Sequence, residues 1–199
     1  MLKVALTGGM AAGKSAALGR FAQLGAKTTD ADQLAREVVE PGSEGLAAIV
    51  RRFGTGVLQA DGSLNRPALG AVVFADAGAR LDLEAIVHPL IQQRSSQVEA
   101  EAELEGVAVV VHDIPLLAEG GRASEFDQVV VVQAPLELRR QRALTERGMT
   151  SEQFDARIAA QATDAERAAL ATHLLDHSGS VEELWAQVDR LYQSWTGLA

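Results

Sequence analysis

The chain has 199 residues and no cysteine. That absence excludes a disulfide framework, a thiolate zinc site and a thiol nucleophile. Lysine is nearly as scarce: Lys3, Lys14 and Lys27 are the only ones, and arginine supplies the rest of the 18 basic residues. No apolar run reaches the roughly 18 residues expected of a membrane-spanning helix. The amino end carries no basic segment followed by an apolar stretch and a cleavage site, so its first apolar residues are expected to form a strand. A cytoplasmic location is expected. Positive charge is also in deficit, with a formal net charge of −9. Neither nucleic acid nor a membrane is therefore an expected partner. The oligomeric state is not legible. What is present is an ordinary 47% of hydrophobic residues, enough for a globular domain with a sizeable core and against disorder.

Valine-rich runs alternate with helical patterns. Leu2 to Thr7, Lys27 to Thr29, Val107 to Val111, Val129 to Val132 and His173 to Leu175 read as strands. Their near-continuous apolar character suits a parallel sheet covered on both faces. Helices are expected over Lys14 to Gln23, after Asp30-Ala31-Asp32 to about Val39, over Glu44 to Phe53, and over much of Pro67 to Glu105. Pro89 is placed in the first turn of a long helix there, with His88 at its start. Thr150 with Gln153, Thr163 with Glu166, and Ser180 with Glu183 have the spacing of capping boxes, so three more helices should begin at those points. Trp185, Leu191, Tyr192 and Trp195 fall at helical spacing and read as core. The stretch from about Ala31 to Glu105 is too long for one crossover and is expected to contain an inserted substructure.

The first strand runs into Gly8-Gly9-Met10-Ala11-Ala12-Gly13-Lys14-Ser15, which satisfies G-x-x-x-x-G-K-[ST]. Each position has a physical reason. Glycine admits backbone conformations closed to other residues and lets a ligand approach closely. Consecutive N–H groups then point inward and form a nest for phosphate oxygens. The helix opening near Lys14 adds the positive end of its dipole. Lys14 suits the β and γ phosphates, and the Ser15 hydroxyl suits Mg²⁺. A GTPase should add an N-K-x-D or T-K-x-D motif, and a transporter-type ATPase an L-S-G-G-Q signature; the sequence has none of these.

Carboxylates stand where strands end. Asp30 and Asp32 follow the second strand, on the sheet edge expected to carry the glycine loop. Either can cap a helix, accept a proton from an attacking hydroxyl or hold Mg²⁺ through water. His112-Asp113 follows the valine run, with Asp113 in the Walker B position near the metal. Arg139, Arg140, Arg142, Arg147 and Arg157 form the one basic cluster. On charge alone they are equally a solvated face balanced by Glu137, Glu146, Glu152 and Asp155.

Taken in order, "LTGGMAAGKS", "DADQLAREVVEPG", "HPLI", "DIPLLAE", "ARIAAQ" and "DHSGSVEEL" resemble the dephospho-coenzyme A kinase family over nearly the whole chain. The resemblance implies an α/β, three-layer P-loop NTPase/kinase fold with a five-stranded parallel sheet, an inserted helical substrate domain and a helical lid. The core is expected over residues 1–30, 106–138 and 163–199, the insertion over 31–105 and the lid over 139–162. It implies ATP as phosphoryl donor, Mg²⁺, and dephospho-CoA as acceptor at its ribose 3′-hydroxyl. The alternative is another P-loop kinase acting on a nucleoside, a nucleotide or a small metabolite.

By position, the resemblance assigns Gly8, Gly9, Met10, Ala11, Ala12, Gly13, Lys14 and Ser15 to the ATP phosphates, with Ser15 and Asp113 at the metal. Asp32 becomes the base, and Lys14, Arg140 and Arg142 its electrostatic partners. Arg157 is placed near the nucleotide, with Gln161 close by. Asp30, His88, Pro89, Asp113 and Leu116 are placed at the dephospho-CoA site, joined by Asn65 and Arg66. The sequence departs from the family in four places. Ala11-Ala12 stand where Gly-Ser or Gly-Ala is more usual. Ala118 stands for a frequent Phe, and His177 for a frequent Asn. Glu146-Arg147 replaces an Arg followed by Asp.

Overall fold

A computed structural model describes residues 1–197. The chain divides into two compact units, one formed by Met1–Asp30 with the chain from Ala102 onward, the other by Ala31–Glu101.

The first unit is built on a five-stranded parallel sheet. Its strands are β1 (Leu2–Gly8), β2 (Lys27–Asp30), β3 (Val109–Asp113), β4 (Gln128–Gln133) and β5 (His173–Asp176), in the order β2-β3-β1-β4-β5. The valine-rich runs are explained by burial on both faces. Val4, Leu6, Val109, Val111, Val130 and Val132 face one core, against Ala17 and Phe21 of α1 (Lys14–Gln23) and Leu184, Val188 and Tyr192 of α10 (Val181–Thr196). Ala5, Val129 and Val131 face the other, with Leu117 buried beside them and Phe126 and Leu170 packed around. Alternate residues of one strand thus supply both cores. The indole of Trp185 donates to the Ala16 carbonyl, and Trp195 stacks on Phe21 at 5.8 Å between ring centres.

All three capping boxes are formed, at Thr150, Thr163 and Ser180. They open α8 (Ser151–Ala159), α9 (Asp164–Leu170) and α10. Before them comes α7 (Leu136–Arg147), which starts after Pro135 and stops at Gly148 in the left-handed region. A short α6 (Leu117–Gly120) follows β3.

One strand lies two residues further along than expected. The valine run suggested Val107 to Val111, but β3 is Val109–Asp113. Pairing decides this: Thr28, Thr29 and Asp30 of β2 stand in register with Val111, His112 and Asp113. His112 and Asp113 are therefore inside the ladder and buried. The Thr29 hydroxyl contacts His112 Nδ1 at 2.9 Å, and the ring lies 5.5 Å from that of Phe126.

The second unit holds α2 (Ala31–Glu37), α3 (Glu44–Phe53), α4 (Arg66–Ala75) and α5 (Ala77–Leu104), the last leaving this unit after Glu101. Its own core gathers Val39, Leu46, Ile49, Val57, Leu64 and Leu69. Ser43 and Asn65 cap α3 and α4 through their side chains. Here the expected helix start at His88 and Pro89 is corrected. Pro89 lies inside a 28-residue helix that begins at Ala77. One carboxylate oxygen of Asp76 accepts from the N–H groups of both Gly78 and Ala79, so the capping residue lies far upstream of the proline. A proline costs a helix one rung and crowds the carbonyl four residues back; that carbonyl belongs to Ala85, which is exposed to water.

Candidate active site

The glycine loop leaves the central strand β1 and enters α1. Among the described residues Ala11 is the one non-glycine residue with positive φ, at 58°. Gly13 is the N-cap of α1 at φ 108°, ψ 17°, and offers no side chain to cap it. The Ala16 and Ala17 N–H groups donate to the Gly13 carbonyl, which leaves those of Lys14 and Ser15 for an anion. Gly13 is also fixed by packing, because a Cβ there would run into the His177 ring. At Gly9 a Cβ would run into the guanidinium of Arg139 and come within 2.9 Å of that of Arg167.

Ala11 allows a balance of terms. A left-handed L-residue costs about 1–2 kcal/mol. Glycine would remove that cost, but would lose about 0.5–1 kcal/mol in chain entropy and about 0.8 kcal/mol for one buried methyl. The methyl is buried, since Ala11 packs with Met10, Ala143 and Phe154. Ala11→Gly is therefore expected to leave stability within about 0.8 kcal/mol, read as the urea midpoint. A larger shift in either direction would show that the loop strain or the packing has been misjudged.

The ammonium of Lys14 lies 3.0 and 3.3 Å from the two carboxylate oxygens of Asp113, the last residue of β3. Both side chains are largely buried, at 16% and 8% exposure. Asp30 ends β2 in register with Asp113. One edge of the sheet therefore carries Lys14, Asp113 and Asp30 together. Ser15 is exposed in the first turn of α1, and Leu116 is exposed beyond β3. Asp32 lies in the first turn of α2, in the other unit, and is exposed.

The arginine cluster separates into different environments. Arg140 pairs with Asp155 at 2.6 Å and lies over the Phe154 ring at 5.0 Å. The Asp155 contact holds its pKa above the ordinary value. Arg157 and Arg147 are exposed. Arg142 reaches the end of β5, where Nη2 donates to the His177 carbonyl at 3.1 Å and Nη1 meets His177 Nδ1 at 3.1 Å.

Arg139, not set apart from its neighbours in the sequence, is buried at 3% exposure beside Gly9. Its Nη2 donates to Asp164 at 2.7 Å, while Nε and Nη1 are buried without a partner. Burial pushes its pKa down; Asp164 opposes that shift and Arg167 adds to it. Arg167, also buried, shares Asp164. Two guanidiniums thus share one carboxylate beside the phosphate loop. Gln161 completes this side by accepting from the Met10 N–H at 3.2 Å. The available signal was helical spacing: Arg139 stands four residues before the fully buried Ala143. In sequence the neighbouring arginines masked it.

In the helical unit, His88 and Arg66 line a cavity of about 280 Å³ whose other walls include Ile49, Leu69, Leu83 and Ile91. A second cavity of about 410 Å³ has Arg36 and Arg66 among its walls. Pro89 is exposed.

A parallel sheet in this order has a glycine loop running from its central strand into an uncapped helix. A lysine there faces an acid at the end of the next strand. These features define a P-loop kinase. The family model of dephospho-CoA kinase matches residues 2–183, and the chain belongs to that family. It is 52% identical over 195 residues to a dephospho-CoA kinase of Mycolicibacterium paratuberculosis, covering 98% of this chain and 47% of that protein. With the Streptomyces avermitilis dephospho-CoA kinase it shares 51% identity over 94% of this chain and 91% of that one. So the chain spans about half the length of the first relative and nearly all of the second. A crystal structure of a Thermus thermophilus protein superposes with a TM-score of 0.81 at 30% identity, over 100% of this chain and 98% of that chain.

Proposed function

We propose that this chain transfers the γ-phosphate of ATP to the ribose 3′-hydroxyl of dephospho-CoA, giving CoA. The observation that carries this reading is the phosphate loop, with Lys14 held against Asp113 at the strand ends, in a member of this family. The N–H groups from Gly8 to Ser15 bind the nucleotide phosphates. Lys14, together with Arg142, offsets the charge of the moving phosphoryl group. Phosphoryl transfer gains most from such positioning and preset charge. Asp32 takes the proton of the 3′-hydroxyl, with Asp30 in support. Arg140 and Arg157 belong to a lid over residues 139–162, whose closure excludes water from the reaction.

Among the described residues no group of three or more His, Asp or Glu side chains forms a ready metal cage. Magnesium does not need one, because it keeps waters and takes phosphate oxygens alongside one or two protein oxygens. The exposed Ser15 hydroxyl and the Asp113 carboxylate are donors of that kind. Bound there, the ion neutralises phosphate charge.

The helical unit supports the acceptor assignment. Dephospho-CoA has an anionic diphosphate and a long, uncharged pantetheine arm with methyl and methylene groups between its amides. The two cavities offer Arg36 and Arg66 for the former and an aliphatic trough with His88 for the latter. Leu116 and Pro89 add apolar surface to the acceptor's path. No helix among the described residues is long and apolar enough to cross a membrane.

Coupled ADP release with a panel of acceptors tests the reading. Dephospho-CoA alone should give rapid turnover with ATP and magnesium. Equal rates with adenosine, AMP or a simple sugar alcohol would instead favour a kinase for a nucleoside, a nucleotide or a small metabolite.

A further inference from the structure

We propose that His177 is a positioning residue that couples Arg142 to the phosphate loop through the proton on one ring nitrogen. The idea rests on the proposed phosphate role of Arg142. His177 follows β5, and its N–H extends the β4–β5 ladder by donating to the Gln133 carbonyl at 2.8 Å. The residue is thereby fixed at the sheet edge that carries the loop. It is only 8% exposed, and its ring lies against Gly13.

Nδ1 of this ring has two neighbours. The Ala12 carbonyl oxygen lies 2.9 Å away, and Arg142 Nη1 lies 3.1 Å away. They make opposite demands. A carbonyl oxygen accepts only, so it needs an N–H. A guanidinium donates only, so it needs a lone pair. One nitrogen cannot serve both. With the proton on Nδ1, the ring holds the Ala12 carbonyl, and Arg142 keeps only its bond to the His177 carbonyl. With the proton on Nε2, Nδ1 accepts from Arg142, the guanidinium is held at two points, and the loop carbonyl loses its donor. The ring therefore selects between a braced loop with Arg142 Nη1 released, and a parked Arg142 with the loop unbraced.

The direction of selection follows from charge. Nucleotide phosphates in the loop draw the nearby guanidinium toward them. Once Nη1 has left, Nδ1 gains most by carrying the proton and bonding Ala12. Phosphate binding and bracing of the loop are thus linked through one tautomer.

The test has a spectroscopic and a kinetic arm. In protein labelled with ¹⁵N-histidine, the His177 Nδ1 signal should be that of an acceptor without nucleotide. It should move to that of an N–H when a non-hydrolysable ATP analogue and magnesium are added. In the kinetic arm, His177→Ala should lower kcat/KM for ATP about tenfold, the scale of one lost hydrogen bond to a charged group. An asparagine carries its donor and its acceptor on different atoms and satisfies both neighbours at once. His177→Asn should therefore raise kcat/KM above that of the alanine enzyme, but short of wild type, because it braces the loop while still holding Arg142. Packing on Gly13 alone predicts no such rescue. An Nδ1 signal that nucleotide leaves unchanged, or an asparagine enzyme no better than the alanine enzyme, overturns the proposal. Absence of dephospho-CoA-dependent turnover in the wild type would overturn the functional reading instead, and the analogue titration would then judge the selector by itself.

Discussion

Lys14→Ala is expected to lower kcat/KM by about 10²–10³, the loss that follows removal of one strong preset donor at a developing charge. The expectation comes from where the ammonium sits. Lys14 is one of only three lysines, and 16% of its side chain is exposed. At that depth a positive charge is screened less by water and salt than one on the surface, so it acts more strongly on phosphate oxygens. Because charge on the phosphoryl group changes during transfer, much of the loss should fall on kcat rather than on KM for ATP. One complication has to be separated out. Lys14 also pairs with Asp113, which is 8% exposed, and breaking a buried pair from one side costs about 3–5 kcal/mol of stability. A double variant resolves this. Lys14→Met with Asp113→Asn removes both charges and should regain much of the lost stability, while turnover stays low. Recovery of turnover along with stability would mean that Lys14 merely neutralises Asp113.

Much of this site was legible because it is local in sequence. The loop is a contiguous octapeptide whose residues each answer one geometric need. The capping boxes at Thr150, Thr163 and Ser180 are four-residue signals, and all three formed. What was not legible depends on contacts between distant residues. The valine run from Val107 fits a strand equally well two residues either way; only pairing with Thr28 to Asp30 places Asp113 at the strand end. Pro89 looked like a helix start because proline suits a first turn, yet packing of Leu83, Ile86 and Val87 in the helical core carries the helix through it. The arginines could not be sorted by charge. Arg139 and Arg140 are adjacent in sequence, but one is buried beside Gly9 and the other pairs with an exposed acid. Likewise, nothing local in "DHSGS" reports that His177 meets both Ala12 and Arg142.

With Asp32 as the proposed base, Asp32→Asn is expected to lower kcat by about 10²–10⁴, the range for loss of a general base, with KM for ATP changed less than about threefold. Asparagine keeps the shape and one acceptor oxygen of aspartate but cannot take a proton at neutral pH. It therefore isolates proton removal from orientation of the hydroxyl. Asp30 provides the comparison. The two carboxylates are two residues apart, yet Asp30 ends β2 in register with Asp113, while Asp32 lies in the first turn of α2. If Asp30 supports the metal edge, Asp30→Asn should act chiefly on nucleotide affinity and on the magnesium requirement. The two variants should then differ in which kinetic constant moves. A further readout guards against a trivial loss of folding: slow ATP hydrolysis without acceptor uses water and not the ribose hydroxyl, so Asp32→Asn should leave that background rate intact while transfer falls. An asparagine enzyme with wild-type kcat would remove Asp32 from the role of base. If Asp30→Asn then lost kcat, the role would pass to Asp30.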